Sequence, residues 1–108
     1  MKDKDVVVAL SALAQESRLA IFRALIVAGP TGRTPSVLAD ALKLPPATLS
    51  FHLKELTHAQ LLTQERQGRY LIYRVNIPGM NEVLGYLTKN CCQGESICVD
   101  LSNIDCSC

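Results

Sequence analysis

The first ninety residues contain no cysteine, and the last eighteen contain no lysine or arginine. No apolar stretch reaches the roughly 18 residues that a membrane-spanning helix needs. The opening Met1-Lys-Asp-Lys-Asp5 is polar and lacks the apolar core and small-residue cleavage site of an export signal, so the cytosol is the expected address. There is no Gly-x-Gly-x-x-Gly phosphate cradle and no Ser/His/Asp arrangement with a pocket to serve, which argues against an enzyme. No internal repeat and no low-complexity tract is visible. What is present is 108 residues, 48% hydrophobic and 19% charged. That describes one ordinary domain, too short for a catalytic barrel and too apolar for a disordered chain. A core this small gains from self-association.

The net charge of +1 hides an asymmetry. Residues 1–90 hold eleven bases against seven acids, giving +4. Residues 91–108 hold only Glu95, Asp100 and Asp105, giving −3. A modestly basic body with an acidic tail is compatible with a nucleic-acid partner. All five cysteines fall in that tail, at 91, 92, 98, 106 and 108. Their odd count and the absent export signal argue against a disulfide framework. In a cytosolic chain the remaining readings are a metal or metalloid site, or a redox switch. The expected division is a body over 1–90 and a cysteine-rich tail over 91–108.

Along the body, residues 6–14 suit a short helix with Val6, Leu10 and Leu13 on one face. Residues 16–28 suit a second, with the stripe Leu19, Phe22, Leu25 and Ile26. Gly29-Pro30-Thr-Gly32 breaks it. Thr34 is placed to cap a third helix with Pro35 at its first position, and Val37, Leu38, Ala41 and Leu42 give its apolar face. Leu44-Pro45-Pro46 makes a tight turn into a fourth helix, about 46–59, whose inner face is Leu49, Leu53 and Leu56. Leu62–Arg66 can be extended, Gln67-Gly68 can turn, and Arg69–Val75 is β-rich. Asn76-Ile-Pro78 closes the hairpin, and 79–89 return to helix with Met80, Val83, Leu84 and Leu87 apolar.

This order predicts a mainly α fold with a β-hairpin wing (α+β), a winged helix–turn–helix whose fourth helix is the candidate for the major groove of double-stranded DNA. At about 100° per residue, the face opposite Leu49 carries Ala47, Phe51, Lys54 and His58, flanked by Thr48 and Ser50. Hydroxyls, a cation and an apolar ring suit base edges, a phosphate and a thymine methyl. Thr48, Ser50 and Phe51 are the leading base readers, since the N-terminal half of such a helix reaches the bases. Lys54 is the phosphate candidate. His52 sits at the edge of the core face, as a packed histidine or as a base or phosphate contact. His58 lies past the groove-facing end, where a histidine is more often solvated. Residues 43–76 carry five bases and two acids. Arg66 and Arg69 flank the hairpin tip, as phosphate or minor-groove contacts or as a solvated wing.

Three segments resemble one family. Ala14-Gln-Glu-Ser-Arg-Leu-Ala-Ile-Phe22 is similar to the "A-x-x-x-R-L-x-I-L" helix of the ArsR/SmtB repressors. Ala47-Thr-Leu-Ser-Phe-His-Leu-Lys-Glu-Leu56 resembles their "S-x-V-S-x-H-L-x-x-L" recognition helix, departing at Ala47 and Leu49. Arg66-Gln-Gly-Arg-Tyr-Leu-Ile-Tyr73 resembles their "R-x-G-R-x-x-x-Y" wing. The likeness spans about residues 6–90, in order. It implies a homodimeric repressor, with the first and last helices in the dimer interface and an inducer that lowers DNA affinity. The Cys-x-Cys of some members is absent from Ser36-Val-Leu-Ala-Asp40, and residues 79–89 lack the Asp and His zinc ligands of others. A further branch places arsenic thiols after the last helix in a pattern like "N-C-C-x-G-x-x-x-C". Asn90-Cys91-Cys92-Gln-Gly94-Glu-Ser-Ile-Cys98 matches it.

The tail chemistry agrees with that branch. Three thiolates from Cys91, Cys92 and Cys98 are a soft donor set suited to trivalent arsenic or antimony. Adjacent helical residues point about 100° apart, so the helix should end near Asn90, and Gly94 gives the chain freedom to bring Cys98 back. Cys106 and Cys108 are additional candidate ligands, or idle. The expected function is an operator-binding repressor released by arsenite, antimonite or methylarsenite, with no permanent cofactor. The alternatives are a zinc-responsive or thiol-redox-responsive repressor of the same fold, or a thiol metal carrier.

Overall fold

The computed structural model describes residues 2–89. Five helices and one hairpin follow in order: α1 (Asp3–Leu13), α2 (Glu16–Ala28), a single 3-10 turn (Gly29–Thr31), α3 (Pro35–Leu42), α4 (Pro46–His58), β1 (Leu62–Gln67), β2 (Tyr70–Val75) and α5 (Ile77–Thr88). This is the expected mainly α winged helix–turn–helix. No helix among the described residues is long and apolar enough to cross a membrane. The five cysteines and the expected 90/91 boundary lie outside the described residues.

Local chemistry explains the boundaries. The Lys2 N–H donates to the Asp5 carboxylate at 3.1 Å, and Asp3 and Asp5 sit in the first turn, where the helix dipole favours acids. α1 therefore starts three residues before the apolar run. Gln15 caps α2, its side chain accepting from the Arg18 N–H at 2.8 Å. Pro35 and Pro46 open α3 and α4, where a missing N–H costs nothing. Thr34 is the residue before α3, but its hydroxyl faces Ser36 Oγ at 3.3 Å and makes no capping bond. Lys43, at φ 55, ends α3 in the left-handed region.

The interior is built around α4. Leu49, Leu53 and Leu56 are fully buried with Ile21 and Leu25 of α2, Leu38 of α3 and Leu61. The inner face of α4 is thus the expected one. Elsewhere the stripes turn. α1 buries Val6, Ala9 and Ala12, while Leu10 is 40% exposed, because two alanines let the helix approach its neighbours closely. α2 buries Ile21, Phe22 and Leu25 and leaves Leu19 outside. In α3 only Leu38 is buried, with Leu42 half-buried and Val37 and Ala41 exposed. In α5 Val83 is buried, Met80 and Leu84 are half-buried, and Leu87 is exposed.

The wing is a two-stranded antiparallel hairpin in which Leu62 faces Val75 and Gln67 faces Tyr70. The turn is Gly68-Arg69, one residue later than the expected Gln67-Gly68. Gly68 takes φ 64, the positive value that a two-residue hairpin turn requires at its first position. Arg69 is therefore in the turn itself and β2 begins at Tyr70. Arg33 adds an antiparallel bridge to Tyr73, with N–H···O distances of 3.0 and 2.9 Å. Gly32 makes that approach feasible, since a Cβ there would stand 2.7 Å from the Tyr73 carbonyl oxygen.

Asn76-Ile-Pro78 starts the last helix instead of only closing the hairpin. The Asn76 carboxamide accepts from the Gly79 N–H at 3.4 Å and donates to the Gln60 carbonyl at 2.8 Å. Gly79 is buried beneath that carbonyl, where a Cβ would collide with Gln60 O and the Asn76 side chain. One capping residue thus fixes α5 to the end of α4.

Candidate nucleic-acid interface

α4 has two chemically distinct sides. Its leucines point inward, and Ala47, Thr48, Ser50, Phe51, Lys54 and His58 are all exposed. Phe51 is 54% exposed, a large cost for an aromatic ring unless a partner covers it. The sequence-expected readers Thr48, Ser50 and Phe51 and the phosphate candidate Lys54 therefore share the open side of one helix.

His52 takes the packed alternative that the sequence left open. It is 8% exposed, and its Nδ1 accepts from Arg18 Nε at 3.1 Å. Burial, and then the Arg18 charge, hold its pKa below the usual value, so the ring is the neutral acceptor at pH 7. A side chain so enclosed orients the helix rather than reaching a base.

The wing stands beside this face. A polar hollow lined by Lys54, Thr57, His58, Gln60, Gln64 and Tyr73 lies between the C-terminal half of α4 and the hairpin. Arg66, Arg69 and Tyr70 are exposed, and neither arginine has an ion-pair partner among the described residues. Arg74 is different. Its Nη1 donates to Glu65 Oε1 at 2.9 Å and its Nε to the Pro30 carbonyl at 2.7 Å, tying the hairpin to the 3-10 turn. The same carboxylate accepts from Gln67 Nε2 at 2.9 Å. Those bonds, Gln67 first and then Arg74, hold the Glu65 pKa below its usual value. The cations that the wing can offer a phosphate are thus Arg66 and Arg69.

Sequence reasoning missed Arg18 as part of this surface. It lies 34 residues from His52, and its guanidinium carbon stands 5.7 Å from the centre of the Phe51 ring. No local pattern signals such a contact; only the "R-L" of the family-like segment contained it. Among the described residues no group of three or more His, Cys, Asp or Glu side chains is placed to hold a metal ion. The candidate thiols Cys91, Cys92, Cys98, Cys106 and Cys108 lie outside those residues.

Comparisons with known proteins agree with this geometry. A helix–turn–helix domain family matches residues 13–65. An ArsR-like transcriptional regulator from Rhodococcus sp. RHA1 is similar in structure, with a TM-score of 0.70 and 25% identity, over 78% of this chain and 76% of that one. A protein described as a possible transcriptional regulator for arsenical resistance is similar at a TM-score of 0.64 and 26% identity, over 73% and 79% of the two chains. The homodimeric winged helix–turn–helix DNA-binding domain of Mb0332 from Mycobacterium bovis shares the fold at a TM-score of 0.64 and 21% identity, over 88% and 94%. No curated protein matches in sequence. The chain is a winged helix–turn–helix protein, and these likenesses support a DNA-binding transcriptional regulator.

Proposed function

We propose that this protein is an ArsR-type regulator, a cytoplasmic, homodimeric repressor that leaves its operator when trivalent arsenic or antimony binds Cys91, Cys92 and Cys98. The observation that carries DNA binding is the open side of α4, which exposes Thr48, Ser50, Phe51 and Lys54, together with a hairpin that exposes Arg66 and Arg69. The four α4 side chains enter the major groove, and the wing arginines hold backbone phosphates or the minor groove. Two copies would bring two α4 helices to a twofold-related operator. The homodimeric Mycobacterium bovis domain of the same fold supports that assembly. So do the exposed Val7 and Leu10 of α1 and Leu87 of α5, apolar surface that a second copy would cover. The nearby Asp3 carboxylate of α1 raises the phenol pKa of Tyr86 in α5, and the two helices pack against each other.

The inducer reading rests on the cysteine spacing and on the likeness to the arsenical-resistance regulator. Arsenite carries three hydroxyls on As(III). Three As–S bonds form as three thiol protons leave with those hydroxyls as water, with no change in oxidation state. α5 ends at Thr88, so bonding just beyond it would act on the α1–α5 side of the molecule. Linkage requires reciprocity: an inducer that weakens operator binding is itself weakened by the operator.

The test is fluorescence anisotropy of reduced protein on a labelled duplex from upstream of its own coding sequence. Arsenite, antimonite, methylarsenite and zinc are titrated in turn. Release by a trivalent arsenical or antimonite, and not by zinc, is expected. Release by zinc alone would replace this reading with a zinc sensor.

A further inference from the structure

The Arg18 guanidinium has one edge engaged and one edge unused. Its Nε–H donates to His52 Nδ1 at 3.1 Å, and its carbon lies 5.7 Å from the Phe51 ring centre, within cation–π range. His52 meets Phe51 edge-on, with ring centroids 5.8 Å apart and planes inclined at 63°. The Arg18 backbone is itself held through the Gln15 cap at 2.8 Å. The two Nη atoms carry the remaining N–H donors of the fork, and they have no hydrogen-bond partner among the described residues. Arg18 is half-buried and lies against an exposed ring of the recognition face, so this edge sits at the border of the surface offered to DNA.

We propose that Arg18 is a DNA phosphate ligand, held ready by His52 and Phe51 at the border of the recognition helix. The proposal rests on the reading that α4 enters the major groove. It adds a contact from α2, outside both the helix–turn–helix and the wing. A phosphate fits better than a base because Arg18 stands beside the groove-facing helix, where a duplex presents its backbone. A planar fork also matches two phosphate oxygens. Fixing Nε beforehand reduces the side-chain freedom lost on binding, which a solvated Arg66 or Arg69 must give up in full. His52 is then a positioning residue: only its neutral ring can accept at Nδ1.

The experiment measures duplex affinity against salt concentration for the wild type, R18Q and R18K, with folding checked by circular dichroism. R18Q should bind about tenfold more weakly and lose about one unit of the log–log salt slope per chain. R18K should keep most of the slope, because the charge remains, yet bind more weakly than wild type, because an ammonium cannot reproduce the fork. Wild-type affinity and slope in R18Q would overturn the proposal. So would weaker binding at an unchanged slope, which would leave Arg18 only a support for Phe51. Should R18Q not fold, the Arg18 side-chain NMR signals of the wild type decide: slowed, shifted Nη–H signals on duplex addition support the contact, and unchanged signals overturn it. Absence of duplex binding by the wild type at low salt is a separate outcome, which removes the DNA-binding reading and this contact with it.

Discussion

α4 and α1 are short helices of similar length that use their apolar residues in opposite ways. In α4 the three leucines of the inner face are all at most 1% exposed, and the open side carries hydroxyls, a lysine and one aromatic ring. In α1 the buried residues are Val6, Ala9 and Ala12, while Val7, Val8 and Leu10 are 60%, 44% and 40% exposed. α4 has therefore spent its apolar surface inside the chain and offers polar chemistry outward, as a partner in a DNA groove demands. α1 packs with its small residues and leaves the larger ones outside, as a helix awaiting a second copy would. The same apolar periodicity thus marks the core in one helix and misleads in the other.

Five substitutions would break or sharpen that contrast. The largest effect is expected inside α4. Leu53→Ala removes a fully buried side chain from the centre of the core and should cost about 2–5 kcal/mol in urea unfolding. A loss below about 1 kcal/mol would mean that α4 is not the hub of the core. On α1, Leu10→Asp should leave the far-ultraviolet circular dichroism of the fold nearly unchanged. It should shift the sedimentation of a dimer toward the monomer, with operator affinity falling at least about tenfold. An unaltered dimer would place the partner surface elsewhere. On the wing, Arg69→Ala should lower the salt slope of DNA binding by about one unit per chain. Arg74→Ala should change folding stability instead, because Arg74 is already bonded to Glu65 and Pro30. Equal salt slopes in the two variants would erase the difference drawn between a free arginine and a structural one. The smallest effect is expected at the α5 cap. Asn76→Ala removes bonds to both Gly79 and Gln60 and should cost about 1 kcal/mol.

His52 gives the pH dependence. Its native pKa lies below the usual value, chiefly through burial. The unfolded chain therefore takes up the proton first as acid is added. Stability from this residue is complete above the ordinary imidazole pKa of about 6.5, declines below it, and levels off once the native ring also titrates. Histidine NMR titration should show His52 with the lowered midpoint. A His52 midpoint at or above the ordinary value would contradict its role as the neutral acceptor for Arg18.

Much of the fold was legible because its signals are local. Pro35 and Pro46 mark helix starts, Leu49, Leu53 and Leu56 fix one helix face, and Gly68 marks the wing turn. The open side of α4 followed once its inner side was known. Three features were not legible, for one shared reason: each depends on a meeting of distant segments. The Arg33–Tyr73 bridge is a single residue pair with no periodicity. The Arg18–His52 bond spans 34 residues. The start of α5 at Ile77 depends on Asn76 reaching back to Gln60, which turned an apparent hairpin end into a cap. Apolar stripes in α1 and α2 were read by counting large side chains, whereas packing there is set by which residues are small enough to come close.

The central claim joins two regions that the sequence separates, the basic DNA-binding body and the thiol-bearing tail. Its most direct test is arsenite-induced release from operator DNA, measured by anisotropy on reduced protein, with alanine at Cys91, Cys92 and Cys98 together and, separately, at Cys106 and Cys108. The triple variant should bind operator as the wild type does and stay bound when arsenite is added, while the Cys106/Cys108 variant still releases. Unimpaired release from the triple variant would contradict the claim.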